Sequence, residues 1–148
     1  MSAIDISPQA LAIARENAER LGAAVNFRCQ DILDSPSKEQ DSPLWDIIVS
    51  NPPYIPSGDI PGLDASVRDY EPHMALDGGA DGLDFYRAIC AHWRSVLHPG
   101  SRLCFEVGIG QADDVLRIMR SCGFGDVEIT PDLNGIPRVV SGILCTEV

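Results

Sequence analysis

Long apolar runs, paired cysteines, clustered histidines and an excess of positive charge are all missing from this chain of 148 residues. No apolar stretch approaches the ~20 residues that a membrane-spanning helix needs, and the first residues lack the basic-then-apolar order of a secretion signal. No membrane partner is expected, and the cytoplasm is the expected location. Cys29, Cys90, Cys104, Cys122 and Cys145 make an odd count with no C-x-x-C pair, so buried, reduced thiols are expected. His73, His92 and His98 have no metal-ligand spacing to one another or to the cysteines, and no metal site is assigned. Lys and Arg number 11 against 22 Asp and Glu, a formal net charge of −11. Proteins grip a phosphate backbone by releasing counterions through Lys and Arg, so this balance argues against DNA or RNA as a direct substrate. The acids are scattered, as on a solvated surface.

What the chain does have is enough apolar residue, 45%, to pack one core, and a length that fits one domain spanning residues 1–148. Ser7 caps a helix with Pro8 at its first position, and Ala10, Leu11, Ala14, Ala18 and Leu21 recur at helical spacing up to the stop at Gly22. A short strand is predicted over 24–28, a polar loop from Asp31 to Pro43, and a buried strand over 44–50. From Asn51 to about Asp81 proline, glycine and acid dominate, and a connection of that length in a compact domain is usually functional or disordered. Phe85, Tyr86, Ile89, Trp93 and Leu97 mark a helix over 83–97, ended by His98-Pro99-Gly100. A strand over 102–107, a helix over 111–121 and strands over 126–130 and 138–145 complete the pattern. This alternation predicts an α/β fold with a largely parallel sheet and a closing antiparallel hairpin.

The most informative stretch is IVSNPPYIPS at 48–57. Neither Pro52 nor Pro53 can donate to a sheet ladder, and each restricts the residue before it to extended geometry, so Asn51 is held rigidly at a strand's C-terminal edge. In open α/β sheets that edge is where ligands bind. An amide, an exposed carbonyl and the ring of Tyr54 converge there on something planar and polar, although Asn-Pro and Pro-Pro also mark ordinary turns. The run EVGIGQ at 106–111 has the strand-to-helix setting of a dinucleotide loop but lacks the third glycine, and Gly108 and Gly110 are read as a tight turn.

An apolar strand followed by Asn-Pro-Pro-Tyr resembles methyltransferases that act on planar nitrogen. Four stretches narrow the resemblance: 3–18, 48–56, 68–87 and 132–142. In the third, Tyr70-Glu71-Pro72 precedes Asp77-Gly78-Gly79 and Gly82-Leu83-Asp84-Phe85-Tyr86. Together they resemble the release-factor glutamine methyltransferases of the HemK/PrmC type, specifically the C-terminal part of the catalytic domain. The resemblance implies a partial class I, Rossmann-like fold, S-adenosyl-L-methionine as cofactor, and a peptide chain release factor as protein substrate. It places Asp5 at the ribose hydroxyls, Asp31 at the adenine amino group and Ile32 on the adenine ring. It places the Asn51 side-chain oxygen and the Pro52 carbonyl at the two N–H groups of the substrate amide, with Asn51 also bordering the cofactor, Pro53 stiffening the loop and Tyr54 packing on the amide plane. Asp5 can equally start the turn before Ser7. Gly78, Gly79 and Gly82 are read as turn residues, while Arg68 and Glu71 either form one surface salt bridge or touch a protein substrate.

In the family a central first strand, its Gly-rich cofactor loop and a helical N-terminal domain would precede Met1. The expectation is therefore an incomplete domain whose two unpaired strand edges invite self-association and whose activity alone is in question. Three other readings share these residues: a ribosomal-protein glutamine methyltransferase, an adenine amino-methyltransferase on nucleic acid, and an inactive remnant or interaction module. The second should display a basic, aromatic surface for a flipped base, which the net charge opposes.

Overall fold

In the computed structural model, residues 1–36 and 44–146 are described. Strand β1 (Ser2–Asp5) runs into helix α1 (Pro8–Leu21) and strand β2 (Asn26–Cys29). Ser7 accepts the Ala10 N–H through its side chain, Pro8 opens the helix, and Gly22 ends it in the left-handed region at φ 65°, as the sequence predicts. β1 and β2 pair in parallel, Ser2 opposite Asn26 and Asp5 opposite Cys29. The apolar face of α1 is only thinly covered. Leu11 is buried, whereas Ile13 and Leu21 are exposed, because two short strands are too narrow a base for a helix of this length.

The second sheet holds the core. Strand β3 (Trp45–Ser50) pairs in parallel with β4 (Leu97–Glu106), and β6 (Pro137–Leu144) lies antiparallel between β4 and β5 (Phe124–Pro131). Parallel pairing is thus confined to β1–β2 and β3–β4, and the closing hairpin is β5–β6. Short helices α2 (Ala65–Arg68) and α3 (His73–Leu76) lie in the long connection after β3, followed by α4 (Asp84–His92) and α5 (Ala112–Ser121). The buried cluster draws on Tyr86, Ile89 and Cys90 of α4, Val115 and Met119 of α5, and Leu103, Phe105 and Val140 of the sheet. Tyr86 and Phe105 meet edge to face at 5.2 Å between ring centroids, and the Tyr86 hydroxyl donates to the Glu106 carbonyl at 3.0 Å. Burial pushes the Tyr86 phenol and the Cys90 thiol well above their ordinary ranges.

Three expectations are corrected, and a fourth falls partly outside the described residues. The strand at 44–50 is not buried: Leu44, Ile47 and Val49 are 49%, 53% and 72% exposed, because among the described residues β3 pairs only with β4 and nothing covers its other edge. The helix predicted over 83–97 ends at His92 and passes through one 3-10 turn, Trp93–Val96; His98-Pro99-Gly100 then falls inside β4. A register shift absorbs the excess, with Trp45 opposite Leu97 but Ile47 opposite Arg102. The cysteines are all free, but Cys29 and Cys145 are exposed rather than buried. The loop predicted over 31–43 falls partly on 37–43, outside the described residues.

No hydrogen-bonded pairing joins the two sheets among the described residues. They are tied instead through the residues after β2. The Trp93 indole donates to the Ile32 carbonyl at 2.8 Å and the Asp34 carbonyl at 3.2 Å, and His92 Nδ1 lies 3.0 Å from the Leu33 carbonyl. The end of α4 therefore holds the 32–34 segment in place.

The irregular part of β4 is closed by polar contacts. Ser101, 2% exposed, donates to the Trp45 carbonyl at 2.7 Å, and His98 Nε2 lies 3.0 Å from Asp46 Oδ1. The Pro99 carbonyl, and then Asp46, raise the His98 pKa above its ordinary 6.5. A group whose folded pKa is raised contributes stability that is complete below the unfolded pKa and lost as pH rises through the folded one. Imidazole proton shifts should therefore show His98 titrating above 6.5. The gap in melting temperature between the wild type and His98→Gln should be wider below pH 6.5 than well above it.

Candidate active site

β3 ends at Ser50 and so sets Asn51 at the sheet's C-terminal edge, and a few residues on the chain from Ile55 to Ser57 is bound to the segment Leu76–Gly79. Ile55 N donates to the Leu76 carbonyl at 3.0 Å, Gly78 N to the Ile55 carbonyl at 2.8 Å and Ser57 N to the Gly79 carbonyl at 2.9 Å. The Ser57 hydroxyl, 2.6 Å from Asp77 Oδ1, and the Gly79 N–H hold the Asp77 carboxyl below its ordinary range. The long connection is thus ordered: its glycine-rich half forms the wall against which the Asn-Pro-Pro-Tyr turn is built.

Tyr54 is gripped from three sides. A side-chain carbon on Gly78 would come within 2.8 Å of Tyr54 Cα and 2.9 Å of the Pro53 carbonyl oxygen. One on Gly82 would collide with the Tyr54 carbonyl, and one on Gly108 would come within 2.9 Å of the Tyr54 ring. Gly82 is also held at φ 75°, so it serves both as a turn residue and as a point of close approach. Gly78 has no positive φ; close backbone approach, not turn geometry, is what requires glycine there. The turn at 108–111 is present, closed by Gln111 N donating to the Gly108 carbonyl at 3.1 Å.

Two residues outside the sequence-based list complete the grip. The Gln111 carboxamide accepts the Gly108 N–H at 3.1 Å and donates to the carbonyls of Tyr54 at 2.9 Å and Gly82 at 3.3 Å. The Arg138 guanidinium lies 5.9 Å from the Tyr54 ring centroid and pairs with Glu106 at 3.0 Å. Tyr54 and Glu106 together raise the Arg138 pKa. A glutamine directly after the G-x-G turn and at the start of a helix was a visible signal for the first. Arg138 had none beyond its place in the stretch 132–142.

Two cavities meet at Asn51 and Pro52. A groove of about 1280 Å³ runs between β1 and β3, lined by Asp5, Asp31, Ile32, Asn51, Pro52, Pro53 and the Phe85 ring among others. A smaller cavity of about 130 Å³ lies on the other side, lined by Asn51, Pro52, Tyr54, Ile55, Glu71, Ala75 and Leu76. Asp5, Asp31, Ile32 and Asn51, distant in sequence, are thereby brought to one groove, and Tyr54 is set apart on the smaller side. Asp5 also starts the turn before Ser7, accepting the Ser7 N–H at 2.7 Å through Oδ1; Asp31 accepts the Leu33 N–H at 2.9 Å in the same way. Each keeps its second carboxylate oxygen free of hydrogen bonds among the described residues. A groove with two such carboxylates and an apolar wall at Ile32 and Phe85 suits a ligand carrying hydroxyls and a flat ring. Among the described residues no group of three His, Cys, Asp or Glu is placed to hold a metal ion, and no helix is long and apolar enough to cross a membrane.

The α/β architecture with a strand-end polar turn beside an open groove is that of class I methyltransferases, and residues 1–112 match the family described as "Methyltransferase domain"; the chain belongs to that family. A solved N-methyltransferase, NodS from Bradyrhizobium japonicum in complex with S-adenosyl-L-homocysteine, shares the fold at 16% identity and a TM-score of 0.59 over 97% of this chain and 65% of its own. Within the family the chain is similar to the release factor glutamine methyltransferase of Geobacter sulfurreducens, 49% identical over 139 residues that make up 94% of this chain and 48% of the relative. It is also similar to the solved protein-(glutamine-N5) methyltransferase (release factor-specific) of Alicyclobacillus acidocaldarius, at 27% identity and a TM-score of 0.52 over 98% of this chain and 79% of that one. The chain spans about half the length of the curated relatives it matches.

The grip on Tyr54 yields a stability prediction. Gly78→Ala forces a methyl group against three backbone atoms and should cost about 1–3 kcal/mol in urea unfolding. Gly62→Ala, with nothing within 4 Å and no positive φ, should stay within about 0.5 kcal/mol of the wild type. Equal midpoints for the two variants would refute the close-packing assignment.

Proposed function

We propose that the protein in its complete form uses S-adenosyl-L-methionine to methylate a glutamine side-chain amide nitrogen in a peptide chain release factor. The observation that carries this reading is the meeting of the two cavities at Asn51 and Pro52, which places one polar turn between a cofactor-sized groove and an amide-sized recess. Its similarity to glutamine methyltransferases supports the choice of substrate.

A glutamine amide nitrogen is a poor nucleophile because its lone pair is delocalised into the carbonyl, so the protein must orient it. In this reading the Asn51 side-chain oxygen and the Pro52 carbonyl accept its two N–H bonds and Tyr54 packs on the amide plane, while Pro53 keeps the turn from flexing. Asp5 accepts the cofactor's ribose hydroxyls with its free oxygen, Asp31 the adenine amino group, and Ile32 flanks the ring. The cofactor, when bound, supplies a methyl group already activated on a sulfonium. Positioning and exclusion of water then provide much of the acceleration, and no general base is required. The work is done in the cytoplasm, on protein and not on nucleic acid.

Mass spectrometry of a release factor incubated with the complete enzyme and cofactor should show one methyl group on a glutamine. Methylation of a ribosomal protein instead would move the substrate, and methylation of adenine alone would overturn the reading. Asn51→Ala should lower kcat on the order of a hundredfold while leaving the melting temperature unchanged, as loss of one preorganised contact commonly does. Unchanged kcat would remove Asn51 from the mechanism.

The open edges of β1 and β3 bear on the cofactor. Among the described residues the strand edges that flank the groove have no paired neighbour, and that is also where another strand or a second copy of the chain would add. In calorimetry the 148-residue chain alone should bind S-adenosyl-L-methionine at least tenfold more weakly than a full-length relative. Equal affinity would show that the described groove is sufficient.

A further inference from the structure

Glu71 is the one residue of the Tyr70-Glu71-Pro72 stretch that lines the small cavity, and the proposed mechanism leaves its side chain without a task. Of the two readings open from the sequence, the salt bridge to Arg68 does not form. Arg68 turns its guanidinium to its neighbour Asp69, with Nε and Nη2 donating to the two carboxylate oxygens at 2.8 Å and 3.1 Å. Among the described residues Glu71 has no ion pair and no side-chain hydrogen bond. Its backbone is nonetheless fixed. Glu71 N donates to the Val67 carbonyl at 2.9 Å as α2 ends, and Pro72, the residue before α3, restricts its conformation. Glu71 thereby sits on a defined support in the lining of the small cavity, with Asn51, Pro52 and Tyr54.

Apart from Asn51, Tyr54 and Glu71, the residues that line that cavity are aliphatic: Pro52, Ile55, Ala75 and Leu76. A volume of about 130 Å³ admits one side chain, not a stretch of main chain. A polypeptide that inserts a glutamine must therefore run across the mouth, where its main-chain N–H groups lose water and need acceptors. Asn51 Oδ1 and the Pro52 carbonyl are committed to the glutamine amide in the reading above. The exposed Glu71 is the only charged acceptor in the lining, and a carboxylate bonded to a peptide N–H makes a charge-assisted bond stronger than a neutral one.

We propose that Glu71 is a substrate-binding residue: its carboxylate accepts the main-chain N–H of the substrate residue that follows the target glutamine, fixing the peptide across the mouth of the Asn51–Tyr54 cavity. This rests on the reading of the cavity as the glutamine site.

The test uses the whole chain, isotope-labelled, titrated with the capped tripeptide Ala-Gln-Ala and followed by amide chemical shifts and binding affinity. The peptide should shift the Tyr54, Ile55 and Ala75 resonances. Glu71→Ala, a change at an exposed position that should leave the melting temperature unchanged, should weaken binding about tenfold, with Glu71→Gln in between. Replacing the peptide bond after the glutamine by an ester should weaken binding to the wild type by a similar factor and have little further effect on Glu71→Ala. If both variants bind like the wild type, or if the ester loss is the same with and without Glu71, the inference is overturned. It is overturned as well if Glu71 matters only for peptides with a flanking Lys or Arg, because the carboxylate then reads charge. A norvaline tripeptide separates this from the functional reading: binding as tight as that of the glutamine peptide would sink the glutamine site itself, whatever Glu71 does.

Discussion

The site depends on the immobilisation of Tyr54. A turn containing two prolines is stiff within itself, but stiffness does not place it; the main chain of Tyr54 is placed by the close approach of Gly78 and Gly82 and by the Gln111 carboxamide, which bonds to Tyr54 and Gly82 at once, and its ring by the close approach of Gly108. Gly78 and Gly82 come from the long connection, and Gly108 with Gln111 from the turn that opens α5. Asn51 and Pro52 inherit their positions from this lock, since they precede Tyr54 across bonds that have little freedom.

The lock also joins parts of unequal solidity. Nearly all of the buried core lies after residue 82, in α4, α5, β4, β5 and β6, where Tyr86, Phe105 and Val107 have no exposed surface. The β1–α1–β2 unit buries only Leu11 and is tied on through the hydrogen bonds of Trp93 and His92 to residues 32–34. The proposed substrate side therefore rests on the rigid half. Asp5 and Asp31, on the other side of the groove, rest on the lighter half, so ligand binding between β1 and β3 would order the molecule as well as occupy it.

Electrostatics follow the same division. The chain carries a formal charge of −11, yet Arg138, which lies over the Tyr54 ring, is neutralised locally by Glu106. Asp77, bonded to Ser57 and Gly79, lines the large groove and not the small cavity. In the proposed reading Asn51 and Pro52 present neutral acceptors to a neutral amide, a match of polarity in which desolvation costs little on either side, and the charge of Glu71 meets the main chain at the mouth.

The α/β alternation, the capped first helix, the closing hairpin and the end of a strand just before Asn51 were legible in the sequence, because each is set by local chemistry: Ser7-Pro8 at a helix start, Gly22 at its end, paired prolines after an apolar strand. The resemblance further pointed to Asp5, Asp31 and Ile32, which share the groove with Asn51 although no local pattern says so. The exposure of β3 was not legible, since an apolar strand reads the same whether one edge or both are paired. Nor was the continuation of β4 through His98-Pro99-Gly100, where pairing with Trp45 and the Ser101 hydrogen bond override the breaking signal. The grip of Gly78, Gly108, Gln111 and Arg138 on Tyr54, and the place of Glu71 in the cavity beside Asn51, were decided by tertiary structure alone. They join segments as far apart as 54 and 138 in the chain, and such contacts leave no periodicity or spacing to read.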